Sequence, residues 1–256
     1  MKRFLHTALF LAVFLCFLPF FSCKSYPPSF EVSNFLNLSS DGVKYIEGNS
    51  YFIILPDNFS PDSSGTGIIF YPGGLVEYQA YLPLMKKLAQ KGAFCILVKM
   101  PFDFAFFDFN AAGRFIKQYP EVKHWYMAEH SHGGAMAASY ISRHEKKFDG
   151  LILLAAYSTH NISASELKVI SIYGSNDGVL NKERYQKYKK NLPASGKGFT
   201  EFIIQGGNHA SFASYGAQKD DYMAEISCEE QQEITAAKIA AWAGLQPEVQ
   251  TQEDLQ

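Results

Sequence analysis

A chain of 256 residues, 47% hydrophobic and 19% charged, is long and apolar enough to close one sizeable core, so one main domain is expected. Its 23 Lys and Arg stand against 25 Asp and Glu, a formal charge of −2, which excludes the basic field that a nucleic-acid partner requires. Four cysteines, two of them (Cys16 and Cys23) near the N-terminus, do not make a disulfide framework.

In chain order, "MKR" leads into the apolar run "FLHTALFLAVFLCFLPFF" and then "SCKSYPPS", the charged, apolar and small-residue order of an export signal. The serine and cysteine at its end resemble a bacterial lipoprotein signal. That resemblance implies cleavage after residue 22, a lipid on Cys23, and a membrane as partner on the outer side of the cytoplasm. An ordinary cleaved signal and an uncleaved anchor are the alternatives. Residues 23–40, rich in Ser, Pro and Asn, read as a tether, and the polar tail 246–256 reads as disordered.

The body, 41–245, opens with "VKYIEGNSYFIILP", two short strands joined at a glycine turn. "GIIFYPGG" is a third strand ending in glycines. Tyr81, Leu84, Met85 and Leu88 recur at helical spacing up to Gly92. "AFCILVKMP" is the next strand, in which Cys95 reads as a small buried hydrophobe. A second helix reaches "YPE" with Phe109, Ala112, Gly113 and Ile116 facing inward. "VKHWYMAE" is a strand leading directly into "HSHGG" and a helix of small residues. "GLILLAAY", "LKVISIYG" and "FTEFIIQGG" supply three more strands, with a helix over 181–192 between the last two. Ser227 and Glu230 form a capping box that opens a final helix. Apolar runs without polar alternation, separated by helices, predict parallel strands buried on both faces: an α/β class, doubly wound, mostly parallel sheet.

Ligands of such sheets bind beyond the carboxyl ends of the strands. Four strand ends carry chemistry: "YPGGLVE", "EHSHGG", "YGSNDGV" and "QGGNHASF". They hold a glycine turn, Ser131, Asp177 and His209. A serine hydroxyl is a weak nucleophile until a base takes its proton, and that base needs an acid to hold its tautomer. Ser, acid, His is also the order that accompanies a nucleophile elbow, a sharp strand-to-helix turn that exposes the serine. Ser131 is therefore the candidate nucleophile, His209 the base and Asp177 its orienting acid, with Asn176 and Asp220 as fallback acids. The N–H of His132 and that of Gly74 or Leu75 are the candidate oxyanion donors.

With these segments in this order, the chain resembles the α/β-hydrolases, specifically the small dienelactone hydrolase (carboxymethylenebutenolidase)-like branch. The likeness runs over residues 50 to 243 and rests on "YPGGLVEYQAYLPLMKKLAQKG", "VKMPFDFAFF", "HSHGGAMAA", "IYGSNDGV" and "GGNHASFASYG". It implies a serine hydrolase for an ester, thioester or lactone, working through an acyl-enzyme without a cofactor. Dienelactone hydrolases proper carry cysteine where this chain has Ser131. The elbow pattern also departs from G-x-S-x-G, since position 129 is Glu. Glu129 either finds space and a partner beneath the turn, or weakens it.

Two rival functions stay in view. A metal-dependent hydrolase would use His130 and His132, although no H-E-x-x-H spacing exists and the expectation is no metal. A non-catalytic binding lipoprotein on the same fold would have Glu129 as its motive. Phe102, Phe104 and Phe106 in "PFDFAFFDF" could line an apolar acyl pocket or serve the core, and Glu77 and Lys99 are further polar candidates beside it. Only a short stretch separates "GLILLAAY" from "LKVISIYG", too little for a large cap, which predicts an open site.

Overall fold

The computed structural model describes residues 24–29, 32, 42–59, 65–131 and 134–245. The leader 1–22, Cys23, His132 and the tail 246–256 lie outside the described residues.

Among the described residues the chain forms one eight-stranded sheet: β1 (Val43–Gly48), β2 (Tyr51–Pro56), β3 (Thr66–Tyr71), β4 (Phe94–Val98), β5 (His124–His130), β6 (Gly150–Leu154), β7 (Lys168–Gly174) and β8 (Phe199–Ile204). Their spatial order is β1-β2-β4-β3-β5-β6-β7-β8. β1 and β2 form the expected hairpin and β2 joins β4 antiparallel, while every pairing from β4 to β8 is parallel. All residues of β4 and β6 are buried, as unalternating apolar strands covered on both faces must be.

Among the described residues five α-helices supply that cover: α1 (Leu82–Gln90), α2 (Ala112–Gln118), α3 (Gly134–Ile141), α4 (Lys182–Lys189) and α5 (Cys228–Ala243). Alternate residues of β3 enter two separate cores. Ile68 and Phe70 pack with Leu84, Met85 and Leu88 of α1 and Ile239 of α5. Ile69 and Tyr71 pack with Phe115 of α2 and Ala137, Ala138 and Ile141 of α3. Cys95 is a free, buried thiol in the first core. The expected inner face of α2 packs against the second core, with Phe109 and Ile116 against it and Gly113 facing the Tyr140 hydroxyl, and Phe115 joins them. Ala112 and Phe115 are buried, whereas Gly113 and Ile116 are only partly so. Phe109 precedes the helix, as the C-cap of the 3-10 turn at Ala105–Asp108. Ser227 does cap α5, its hydroxyl accepting the Glu230 N–H at 3.1 Å.

Residues 155–167 connect β6 to β7, and among the described residues no large cap covers the carboxyl ends of the strands. The start of the expected tether is docked rather than free. The Tyr26 N–H donates to the Leu75 carbonyl at 2.7 Å, and the Glu77 N–H donates to that of Tyr26 at 3.0 Å. Tyr26 can thus add a bridge beside Val76 because the turn after β3 presents an unpaired edge.

Candidate active site

Ser131 follows directly on β5 with φ +57°, left-handed for a residue with a Cβ. Such a conformation costs of order 1 kcal/mol or more and persists only where the surroundings enforce it. Here β5 is held between β3 and β6 and α3 starts at Gly134, so the chain must turn from strand to helix within a few residues.

His209 stands after β8 and Asp177 after β7. The His209 Nε2 lies 2.8 Å from the Ser131 Oγ. Its Nδ1–H donates to Asp177, 2.9 Å from Oδ2 and 3.1 Å from Oδ1. Asp177 is itself fixed, because its Oδ1 accepts the N–H groups of Val179 at 2.9 Å and Leu180 at 2.7 Å. The three residues expected to act together are therefore joined in one relay. The fallback acids stand elsewhere: Asp220 is exposed, and the Asn176 amide donates to Met223 and Glu225.

Two holding residues escaped the reading of the sequence. The Asp221 carboxylate accepts the N–H of Gly178 at 3.0 Å and those of His209 and Ala210 at 3.3 and 2.9 Å, tying together the loops that carry Asp177 and His209. Buried Gln231 of α5 pairs through its amide with the N–H and carbonyl of Asn208, at 2.9 and 2.8 Å. Neither carries a pattern of its own. An acid next to Asp220 and a glutamine in a helix gain meaning only once the loops are in space.

His130, a metal candidate, has both ring nitrogens engaged. Nδ1 is 2.7 Å from the Tyr81 hydroxyl, which also accepts the Gly73 N–H at 2.9 Å, and Nε2 is 3.2 Å from the His209 carbonyl. A neutral ring with its proton on Nε2 satisfies every partner. Burial, with the His209 ring alongside, pushes its pKa well below the ordinary histidine value. His130 thus links the glycine turn after β3 to the loop that delivers His209. Among the described residues no group of three or more His, Cys, Asp or Glu is placed to hold a metal ion.

Glu129 has found its space. It is fully buried, and its Oε2 accepts the Ala137 N–H near the start of α3 at 2.8 Å, so the carboxyl caps the helix that follows the serine. Its Oε1 has no hydrogen-bond partner. Burial raises its pKa well above the usual carboxylate range, and the N–H groups of Ala137 and Ala138 offset that only in part. Between the ordinary and the raised value the folded chain holds a proton that the unfolded chain releases. The group's contribution to stability is therefore present at acid pH and lost as pH rises toward the raised value. Glu129→Gln, neutral throughout, should raise the unfolding free energy at about pH 8 by about 1 kcal/mol or more, and give no gain near pH 4. Urea unfolding at the two pH values measures this, and an equal change at both would refute the protonated carboxyl.

Of the two candidates in the glycine turn, Leu75 is corrected by the structure. Its φ is +60° and its N–H donates to the Asp103 carbonyl at 2.9 Å, which leaves nothing to offer an oxyanion. Gly74 instead lines the same cavity as Ser131 and His209.

That cavity is an open cleft of about 450 Å³. Phe104 and Phe106 line it, as expected, whereas Phe102 and Glu77 do not. Phe102 is turned outward by a left-handed backbone (φ +55°), and Glu77 is held at the N-cap of a 3-10 turn by the docked Tyr26. Lys99 is also outside it, exposed with its Nζ 5.7 Å over the Tyr78 ring. Met136, Val179 and Leu180 complete an apolar wall, and Arg184 and Tyr157 stand at a polar end.

These features meet counterparts among known proteins. A sequence profile described as the alpha/beta hydrolase family matches residues 67–233, more than half of the chain. No curated protein matches in sequence. Among solved structures the fold is similar to Est1E from Butyrivibrio proteoclasticus, with TM-score 0.55 and 15% identity over 80% of this chain and 100% of that one. It is similar to a monoacylglycerol lipase from Paleococcus ferrophilus, with TM-score 0.54 and 11% identity over 70% and 96%. A membrane phospholipase A described as a bacterial virulence factor gives TM-score 0.57 and 14% identity over 95% and 98%. At these identities the likeness is one of fold. The profile runs from β3 into α5 and takes in all four strand ends that build the cleft, and the chain belongs to the alpha/beta hydrolase family.

Proposed function

We propose that this protein is a serine hydrolase that cleaves an ester, thioester or lactone through an acyl-enzyme on Ser131. The observation that carries the proposal is the continuous relay from the Ser131 Oγ through His209 to Asp177, at 2.8 and 2.9 Å, on the floor of an open cleft. His209 Nε2 takes the serine proton as Oγ attacks the acyl carbonyl. The oxyanion forms against the N–H of Gly74 and that of His132. Collapse of the tetrahedral intermediate expels the alcohol, thiol or ring oxygen with the proton that His209 returns, leaving the acyl group on Ser131. His209 then deprotonates a water that attacks this acyl group, and the acid departs. Side chains, backbone N–H groups and water supply these steps, so no cofactor is called for.

The capless body and the five matching segments favour the dienelactone hydrolase-like branch, with serine in place of its cysteine. A purely ligand-binding role is disfavoured by Glu129, since its carboxyl caps α3 instead of displacing Ser131. From the leader, the protein is further proposed to be exported and held to a membrane by a lipid on Cys23.

A fluorophosphonate probe tests the chemistry. The expected product is one covalent adduct per chain, located by mass spectrometry on the peptide containing Ser131. A folded chain that stays unlabelled, or is labelled on another residue, overturns the proposal.

A further inference from the structure

We propose that the mouth of the Ser131 cleft rests on a lipid bilayer, with the 102–107 loop inserted at its surface, so that substrates are acyl esters resident in that bilayer. The inference rests on the serine-hydrolase reading for its chemistry and on the following placement for its geometry.

The first described residues bond to the turn after β3 and to the 102–107 loop, segments from which Gly74, Phe104 and Phe106 line the cleft. Beyond the Tyr26 bonds, the Ser25 hydroxyl donates to the Asp103 Oδ2 at 2.5 Å, and the Ser29 N–H donates to the Ser214 carbonyl at 2.8 Å. Lys24, the first described residue, is therefore held beside the loop that carries Phe102. A lipid on Cys23, or an uncleaved apolar leader, enters the membrane next to this loop and not at the end of a long spacer.

The loop presents an apolar surface at that place. Phe102 is 69% exposed, Phe106 65% and Phe107 40%. Their rings meet edge to face, with centroids 5.3 Å apart for Phe102 and Phe107 and 5.6 Å for Phe106 and Phe107. The carboxylate of the loop, Asp103, and that of Asp108 just after it are both paired, the second with the half-exposed Arg114. Asp103 takes Ser25, and Asp108 takes Arg114 in a two-pronged pair at 2.9 and 2.8 Å. What the loop itself leaves most exposed is phenylalanine, with the basic Arg114 nearby, and such apolar side chains bury at the headgroup–acyl boundary of a membrane. Phe102 and Asp103 both hold left-handed backbones, φ +55° and +54°, and the turn they make is what sends Phe102 outward. An anchor at one point leaves the body free to rotate, whereas an anchor and an aromatic surface side by side fix one orientation. Phe106 belongs to both the exposed cluster and the cleft lining, so in that orientation an acyl chain passes from bilayer to cleft along one apolar path.

The full chain, reconstituted in vesicles of phosphatidylethanolamine and phosphatidylglycerol, tests this in two ways. Tryptophan at the surface position, Phe102→Trp, should be quenched by lipids brominated on their acyl chains. The double variant Phe102→Ser/Phe107→Ser, neither residue lining the cleft, should keep the parent's turnover of a water-soluble short-chain ester. It should lose about tenfold or more on an ester embedded in the vesicles. Emission indifferent to bromination, or a double variant equal to the parent on the embedded ester, overturns the docking. A parent chain that cleaves neither ester would overturn the serine-hydrolase reading instead, and the quenching result would still decide the orientation.

Discussion

Asp177→Asn is expected to lower kcat on a soluble ester by about 10,000-fold while the protein stays folded, the loss that a mis-set tautomer causes in Ser-His-acid enzymes. The size follows from how Asp177 is held. Its Oδ1 accepts two backbone N–H groups, from Val179 and Leu180, at 2.9 and 2.7 Å. An asparagine must keep its carbonyl oxygen there, since an NH2 group facing two N–H donors would leave all of them unsatisfied. The amide nitrogen then takes the place of Oδ2, 2.9 Å from the His209 Nδ1. Facing a donor, Nδ1 must become the acceptor, and the ring proton moves to Nε2. That nitrogen lies 2.8 Å from the Ser131 Oγ and now holds a proton where it has to receive one. Steady-state kinetics and the rate of fluorophosphonate labelling should fall together, with an unchanged unfolding midpoint. A loss of less than about tenfold would mean that Asp177 does not orient the base.

The parts of this site that were legible in the sequence are those whose role follows from position along a strand. Ser131, Asp177 and His209 each stand a few residues past an uninterrupted apolar run, and a parallel sheet brings such positions to one edge. Phe104 and Phe106 could be placed near the cleft by the same rule. What stayed hidden depends on backbone direction. Phe102 and Leu75 hold a positive φ that no residue pattern announces, and each is thereby diverted from the role its place suggested. Glu129 looked like a flaw in the elbow because its local pattern breaks a rule. Its compensation, an N–H on the second turn of the next helix, is a contact across the turn that linear reading does not show. The docked start of the tether was hidden for a different reason. Ser, Tyr and Pro suit a spacer as well as an edge-bridging segment, and only the open edge at Leu75 to Glu77 decides between them.

Gly174→Ala should be the most damaging single methyl group in the molecule. Gly174 is the last residue of β7, three positions before Asp177, and an added Cβ would lie 2.2 Å from the Gly207 carbonyl oxygen, 2.3 Å from its carbon and 2.6 Å from the Asn208 nitrogen. All three atoms are backbone, so no side chain can swing aside. The loop that delivers His209 has to retreat by more than an ångström, and it cannot do so alone. The Asn176 N–H donates to the Gly207 carbonyl at 2.8 Å, and Gln231 grips Asn208 on both its N–H and its carbonyl. Overpacking of this kind costs about 3 kcal/mol or more where the surroundings are rigid. In whatever fraction folds, His209 is displaced from Asp177 and Ser131, and a shift of about 1 Å in such a relay costs on the order of 100-fold in rate. Gly196→Ala provides the contrast. Its φ of +75° makes the methyl strained, but the space around it is open, so stability should fall by about 1–2 kcal/mol with kcat untouched. Denaturant unfolding and kcat of the folded fraction separate the two variants. A Gly174→Ala protein with the parent's kcat would show that the two loops can part without disturbing the relay, and that their close approach is not what holds it.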